Sequence, residues 1–163
     1  MDHFKWDEAD KVEFDGSCLK VKVRGKPIPL ERHRWTTTGT RKQPHTYNPV
    51  KKEQESFRSA LYAAMESTGK KFEDGITAWD VSCGFFFPRP KHHFTFEGKL
   101  RPDCPKWHVI KPDLDNLVKF VVDAIEDPRG FSDDKAVAQV KAWKRYTHGA
   151  EEGCVLVKLS GLK

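Results

Sequence analysis

The chain has 163 residues, with 29 lysines and arginines against 24 acids and a formal net charge of +5. At 37% hydrophobic and 33% charged, it holds enough apolar bulk for one core, which excludes global disorder and favours a single domain. No apolar run reaches the roughly 18 residues of a membrane span, and Met1–Glu8 has neither a signal-peptide core nor a transit-peptide composition, so a soluble, cytoplasmic chain without a membrane partner is expected.

Residues 1–15 read as a polar lead-in and 16–163 as one folded domain. Over 17–24, Leu19, Val21 and Val23 alternate with Lys20, Lys22 and Arg24, the period of a half-buried strand. Residues 26–48 show no period and contain Pro27, Pro29, Gly39 and Pro44, so they read as a long basic loop. Asn48-Pro49 is a helix-start signal, and Phe57, Leu61, Ala64 and Met65 recur at helical spacing over 49–67 until Gly69 closes the helix. Over 77–87, Trp79, Val81, Cys83, Phe85 and Phe87 share one strand face. Residues 88–112 carry five prolines and no period, and read as a binding loop. Leu114, Leu117, Val118, Val121, Val122 and Ile125 then define a strong amphipathic helix, with Pro112 and Asp113 at its start and Pro128 and Gly130 beyond its end. Strands follow at about 135–146 and at 153–160. The order predicts an α+β single domain with a mixed sheet of about four strands and two main helices. Cys18, Cys83, Cys104 and Cys154 form no C-x-x-C pair and are expected to be reduced and mostly packed.

Charge is unevenly placed along the chain. Residues 24–52 hold eight cations against one acid, and 88–111 hold six against two. Residues 113–136 reverse this, with seven acids against three cations. An acidic knot thus follows two basic segments that bear aromatic side chains. Asp113 and Asp115 flank Leu114 where an extended segment becomes a helix, so both carboxylates can converge. Asp115, Lys119 and Asp123 then stand at i, i+4 and i+8. Asp133-Asp134 follows one helix and one reversal, and the expectation is that a carboxylate returns to the N-terminal end of the helix.

Carboxylates this close repel, and a hard divalent cation such as Mg²⁺ relieves the repulsion. Beside basic loops, such a site suits phosphodiester hydrolysis, with a lysine one turn away stabilising the charge on phosphate. A plainer reading stands beside it: D-x-D as helix cap and dipole complement, and Asp-Asp as turn chemistry. An EF-hand opened by Asp113 fails, because Leu117, Val118 and Ala124 occupy positions that need Asp/Asn, Gly and Glu. A nucleotide-sugar transferase with a D-x-D site lacks room in a chain this short.

The run Asp113-Leu-Asp-Asn-Leu-x-x-x-Val-x-Asp-Ala-Ile followed by Gly-Phe-Ser-Asp-Asp-Lys-Ala-Val resembles the RusA family of Holliday-junction resolvases. Gly25-Lys-Pro-Ile-Pro-Leu-Glu-Arg32 and Pro88-Arg-Pro-Lys91 resemble its other segments. The resemblance covers about 16–160, with the lead-in, Thr36–Thr40 and the 88–112 loop larger than the family minimum. It implies a RusA-like fold and a homodimer that binds branched, four-way DNA and makes paired Mg²⁺-dependent cuts, with Mn²⁺ as a substitute metal. It implies Asp113, Asp115 and Asp134 as metal ligands and catalytic acids, Lys119 as the cation beside phosphate, and Asp133 as a lesser acidic neighbour. A bacterial or phage-infected cell is the expected setting.

Arg32, Arg34, Arg41, Lys42, Lys51 and Lys52, together with Arg89, Lys91, His92 and Lys111, are candidate contacts to DNA phosphates. Phe94, Phe96 and Trp107 can stack on unpaired bases or pack the loop against the body. His92, His93, Cys104 and His108 match no zinc-ligand spacing, so histidines near phosphate are the preferred reading. The alternatives to a resolvase are a branched-DNA-binding protein that does not cut and a flap or branch nuclease of broader specificity.

Overall fold

A computed structural model of the chain describes residues 12–31, 34–37, 44–126 and 133–163, with 34–37 and 44–46 described for their backbone alone. In chain order the strands and helices are β1 (Glu13–Phe14), β2 (Cys18–Arg24), β3 (Arg34–Thr37), β4 (Pro44–Tyr47) and α1 (Lys51–Glu66). They continue with β5 (Ala78–Phe87), α2 (Leu114–Ile125), β6 (Val137–Tyr146) and β7 (Cys154–Leu162). Short 3₁₀ turns occupy Lys91–His93 and Asp134–Ala136.

The alternation read from the sequence builds one mixed five-stranded sheet, ordered β1-β2-β7-β5-β6. β7 pairs antiparallel with both β2 and β5, and β6 pairs parallel with β5. Leu19 and Val21 meet Leu159 and Val157 across β2 and β7. With Trp79, Val81, Cys83, Phe85 and Phe87 of β5 they line one sheet face. Both helices cover that face. Phe57, Leu61, Tyr62 and Met65 of α1 and Leu117, Phe120, Val121, Ala124 and Ile125 of α2 are buried in the same cluster. Each fully buried Leu, Ile, Val, Phe or Met among them stabilises the fold by about 1.5–3 kcal/mol. The Phe57 and Phe120 rings meet edge to face at 5.8 Å.

The end of α2 leaves carbonyls that need donors, and α1 supplies them. Arg58 Nε donates to Ala124 O at 2.7 Å and the Tyr62 hydroxyl donates to Ile125 O at 2.7 Å. Among the described residues the opposite sheet face carries no helix and holds a small buried cluster of Phe86, Cys154 and Leu156. There Gly84 lies under Trp143, whose ring atoms would stand 2.8 Å from any added Cβ.

The α+β single domain and the start of α2 after Asp113 agree with the sequence reading; several details differ. The main sheet has five strands, because β1 pairs with β2 through Glu13↔Lys20 and Phe14↔Leu19. Buried Phe14 thus draws residues 12–15 into the domain, while 1–11 lie outside the described residues. The aperiodic 26–48 segment contains an antiparallel hairpin, β3 with β4. Its β-branched and aromatic residues (Trp35, Thr36, Thr37, Thr46, Tyr47) carry strand propensity without alternation. α1 starts at Lys51, since the Asn48 side-chain oxygen accepts from Val50 N at 3.0 Å in a turn that precedes the helix. The helix stop at Pro128 and Gly130 lies outside the described residues. All four cysteines are free thiols, and burial pushes the Cys83 thiol up to about 12. Among the described residues no helix is long and apolar enough to cross a membrane.

Candidate active site

β2, β5 and β6 run in one direction, so α2, which joins parallel neighbours β5 and β6, runs against them. Its N-terminus therefore stands at the C-terminal ends of these strands, where open α/β sheets place their ligands. Asp113 is the residue before the first turn, with extended backbone (φ −72°, ψ 145°) and no side-chain capping bond. An aspartate here ordinarily spends its oxygen on the N–H groups of the first turn. This one does not. Asp115 lies in the first turn. Both carboxylates are exposed, and among the described residues neither has a hydrogen-bonded or ion-paired partner. The positive end of the helix dipole favours both charges. Lys119, one turn further on, is likewise exposed and unpartnered among the described residues.

Two straps hold this terminus in place. Lys144 of β6 donates its Nζ to Pro112 O at 2.7 Å and to Ile110 O at 2.8 Å. Leu30 N, six residues past β2, donates to Asn116 O at 2.9 Å. Sequence reasoning missed Lys144, although a signal existed. It falls between Ala142 and Tyr146 on the strand face that packs against the core, where a lysine must find acceptors.

The 88–112 loop is ordered, and Arg89 is its hub. Arg89 Nε donates to Thr147 O at 2.6 Å, and Nη1 donates to Pro105 O at 2.9 Å and to the Cys104 sulfur at 3.2 Å. Nη1 also lies 3.3 Å from His93 Nδ1. The expectation that Arg89 contacts DNA is therefore corrected for its Nε and Nη1, which are spent on Thr147 and on the loop. His93 packs edge-on to Tyr146, and His108 stacks on Phe87 at 3.9 Å. Burial holds both imidazoles below their ordinary pKa, helped by the charges of His92 on His93 and of Lys144 on His108. These two rings are packing elements, whereas Lys91, His92 and Lys111 are exposed. Phe94 is half-buried, bridged to Leu100. Phe96 is fully exposed, and Trp107 is 49% exposed with the Arg145 guanidinium 4.4 Å above its ring. Val109 and Ile110, 84% and 62% exposed just before the acids, were not foreseen. Arg32, Arg41 and Lys42 lie outside the described residues, and Arg34 is placed by its backbone alone.

Asp133 and Asp134 sit elsewhere. Asp133 accepts from Lys135 N at 2.9 Å to cap the 3₁₀ turn before β6. That backbone bond, then the hydrogen bond from Asp134, lowers its pKa. Asp134 is exposed. β6 begins beside Trp79, at the start of β5, and reaches Lys144 seven residues later. At about 3.3 Å per residue this is roughly 23 Å, so Asp134 lies at the far end of α2. The expected return of a third carboxylate to the helix start therefore fails within one chain. The reversal falls just before Asp133, and a whole strand would be needed to come back. No group of three metal-competent side chains forms among the described residues.

The profile of the family described as Endodeoxyribonuclease RusA matches residues 24–155, most of the chain. The chain belongs to the RusA endodeoxyribonuclease family. A search of curated proteins gave no match. The RusA match runs from the end of β2 into β7, taking in both straps, the ordered loop and Asp113, Asp115, Asp133 and Asp134. For a RusA-family endodeoxyribonuclease the donor set at the α2 N-terminus fits a hard cation. Two unspent, solvent-facing carboxylates are what Mg²⁺ takes when it keeps several of its waters.

Proposed function

We propose that this protein is a Mg²⁺-dependent, structure-selective endodeoxyribonuclease that resolves four-way DNA junctions by paired symmetric cuts, acting as a homodimer in the cytoplasm of a bacterial or phage-infected cell. The carrying observation is Asp113: it occupies a capping position without capping, next to Asp115, at the foot of a basic loop. Asp113 and Asp115 would hold the metal. Bound there, it would activate water and neutralise the leaving oxygen. Lys119, one turn along α2, stabilises charge that builds on the phosphate. Arg34, Lys91, His92 and Lys111, with Arg32, Arg41 and Lys42, hold the backbone of the arms.

Asp134 enters through a second copy of the chain. Two symmetric cuts need two centres, and the far-end position of Asp134 makes it available to a neighbour and not to its own Asp113. Asp133, tied to its turn, is the lesser neighbour. Exposed Val109 and Ile110 just before the acids, with exposed Phe96 and Trp107 on the same loop, suit unpaired bases at a branch point.

The test is incubation of a labelled synthetic four-way junction and a linear duplex with and without Mg²⁺. Junction cutting that requires the metal is expected, with duplex left intact. No junction cutting under any divalent metal would overturn the resolvase reading, and equal cutting of duplex would reduce it to a general nuclease.

A further inference from the structure

A second basic site lies at the same end of the sheet, away from the acids. A cavity of about 400 Å³ opens at the C-terminal ends of β5 and β6, lined by Phe86, Tyr146, Arg101, Lys106, Arg145 and His148 among others. No acid lines it. Arg89 also borders it, but its Nε and Nη1 donors are spent on Thr147 O and Pro105 O. Arg101 and Lys106 differ. Their backbones are fixed, Arg101 N to His93 O at 2.9 Å and Tyr146 N to Lys106 O at 3.0 Å. Their side chains have no hydrogen-bonded or ion-paired partner among the described residues. Arg145 Nε is buried with no hydrogen-bond partner. Three cationic groups thus converge on one cavity whose described walls supply no counter-charge. Beyond Phe86 and His148 a smaller cavity of about 170 Å³ carries Glu151 and Glu152, which confines anions to the Arg101–Lys106 side.

We propose that this cavity binds one nucleotide of a DNA strand, its phosphate held by Arg101, Lys106 and Arg145. The volume exceeds a lone phosphate, and Phe86 and Tyr146 give an aromatic wall for sugar or base. Lys106 lies seven residues before Asp113, so the strand in this cavity is within a few nucleotides of the acids. The inference deepens the nuclease reading and rests on DNA being the substrate.

The test measures binding of a labelled four-way junction without divalent metal, as a function of salt. The full chain, the pair Arg101→Gln/Lys106→Gln and a control pair Lys70→Gln/Lys71→Gln beyond the end of α1 are compared. Each lost phosphate contact lowers the salt slope by about 0.9, so between about 50 and 200 mM salt the cavity pair should lose affinity about twelvefold less than the parent. The control pair should follow the parent. The charge-keeping pair Arg101→Lys/Lys106→Arg should restore the slope. A cavity pair that shifts the slope no more than the control pair overturns the site. Cutting is read separately on the same samples: a parent that binds but never cuts removes the nuclease reading, and the slope comparison still decides the cavity.

Discussion

The two ends of α2 carry the same residue type in opposite states. At the N-terminus Asp113 and Asp115 are exposed and unpartnered among the described residues, on a frame held by Lys144 and Leu30. At the other end Asp133 is consumed by the turn that launches β6. A carboxylate bound to its own backbone is structural, and one held out to solvent by bonds its neighbours make is available for chemistry. Whether an aspartate is a candidate ligand is thus decided by where its oxygens are already spent.

The comparison can be broken most severely by Asp115→Asn. Cutting should fall about 10³-fold while junction binding persists, measured by single-turnover cleavage and a binding assay on the same variant. Next is a mixing experiment that separates the ends across two chains. Asp115→Asn and Asp134→Asn should each be inactive alone, and together, after exchange of protomers, should regain about one quarter of the parent's cutting centres as single nicks. No recovery would place Asp134 outside the centre. Lys144→Met keeps the apolar stem but removes the strap on Pro112 and Ile110. The Mg²⁺ concentration needed for half-maximal cutting should rise about 10–100-fold with junction affinity retained. The smallest effect belongs to Asp133→Asn, because an amide oxygen caps as well as a carboxylate does. Its cutting rate should stay within about twofold of the parent, in contrast to Asp134→Asn.

Much of this was legible in the chain. Periodicity gave α2 from Leu114 to Ile125 and the buried face of β5, since both depend on short-range spacing against a single core. The acids and Lys119 were found by local clustering. What escaped depends on distant partners. Arg89 looks like a phosphate contact beside Pro88 and Lys91, and only Thr147 O, 58 residues away, reveals it as a loop brace. Asp134 was placed by counting one reversal, which ignores that β6 must run its full length before the chain returns. Lys144 and the β3–β4 hairpin were missed for related reasons. One needed the strand face, and the other lacked an apolar period.

The strand length between Asp134 and Lys144 also bears on how the activity scales with protein concentration. If a cutting centre draws its third acid from a second chain, a solitary protomer can hold DNA but carries only part of a blade. Below the dissociation constant of the pair, cleavage should then climb with the square of concentration. Such a dependence would keep stray copies harmless on a chromosome and reserve cutting for junctions that recruit two.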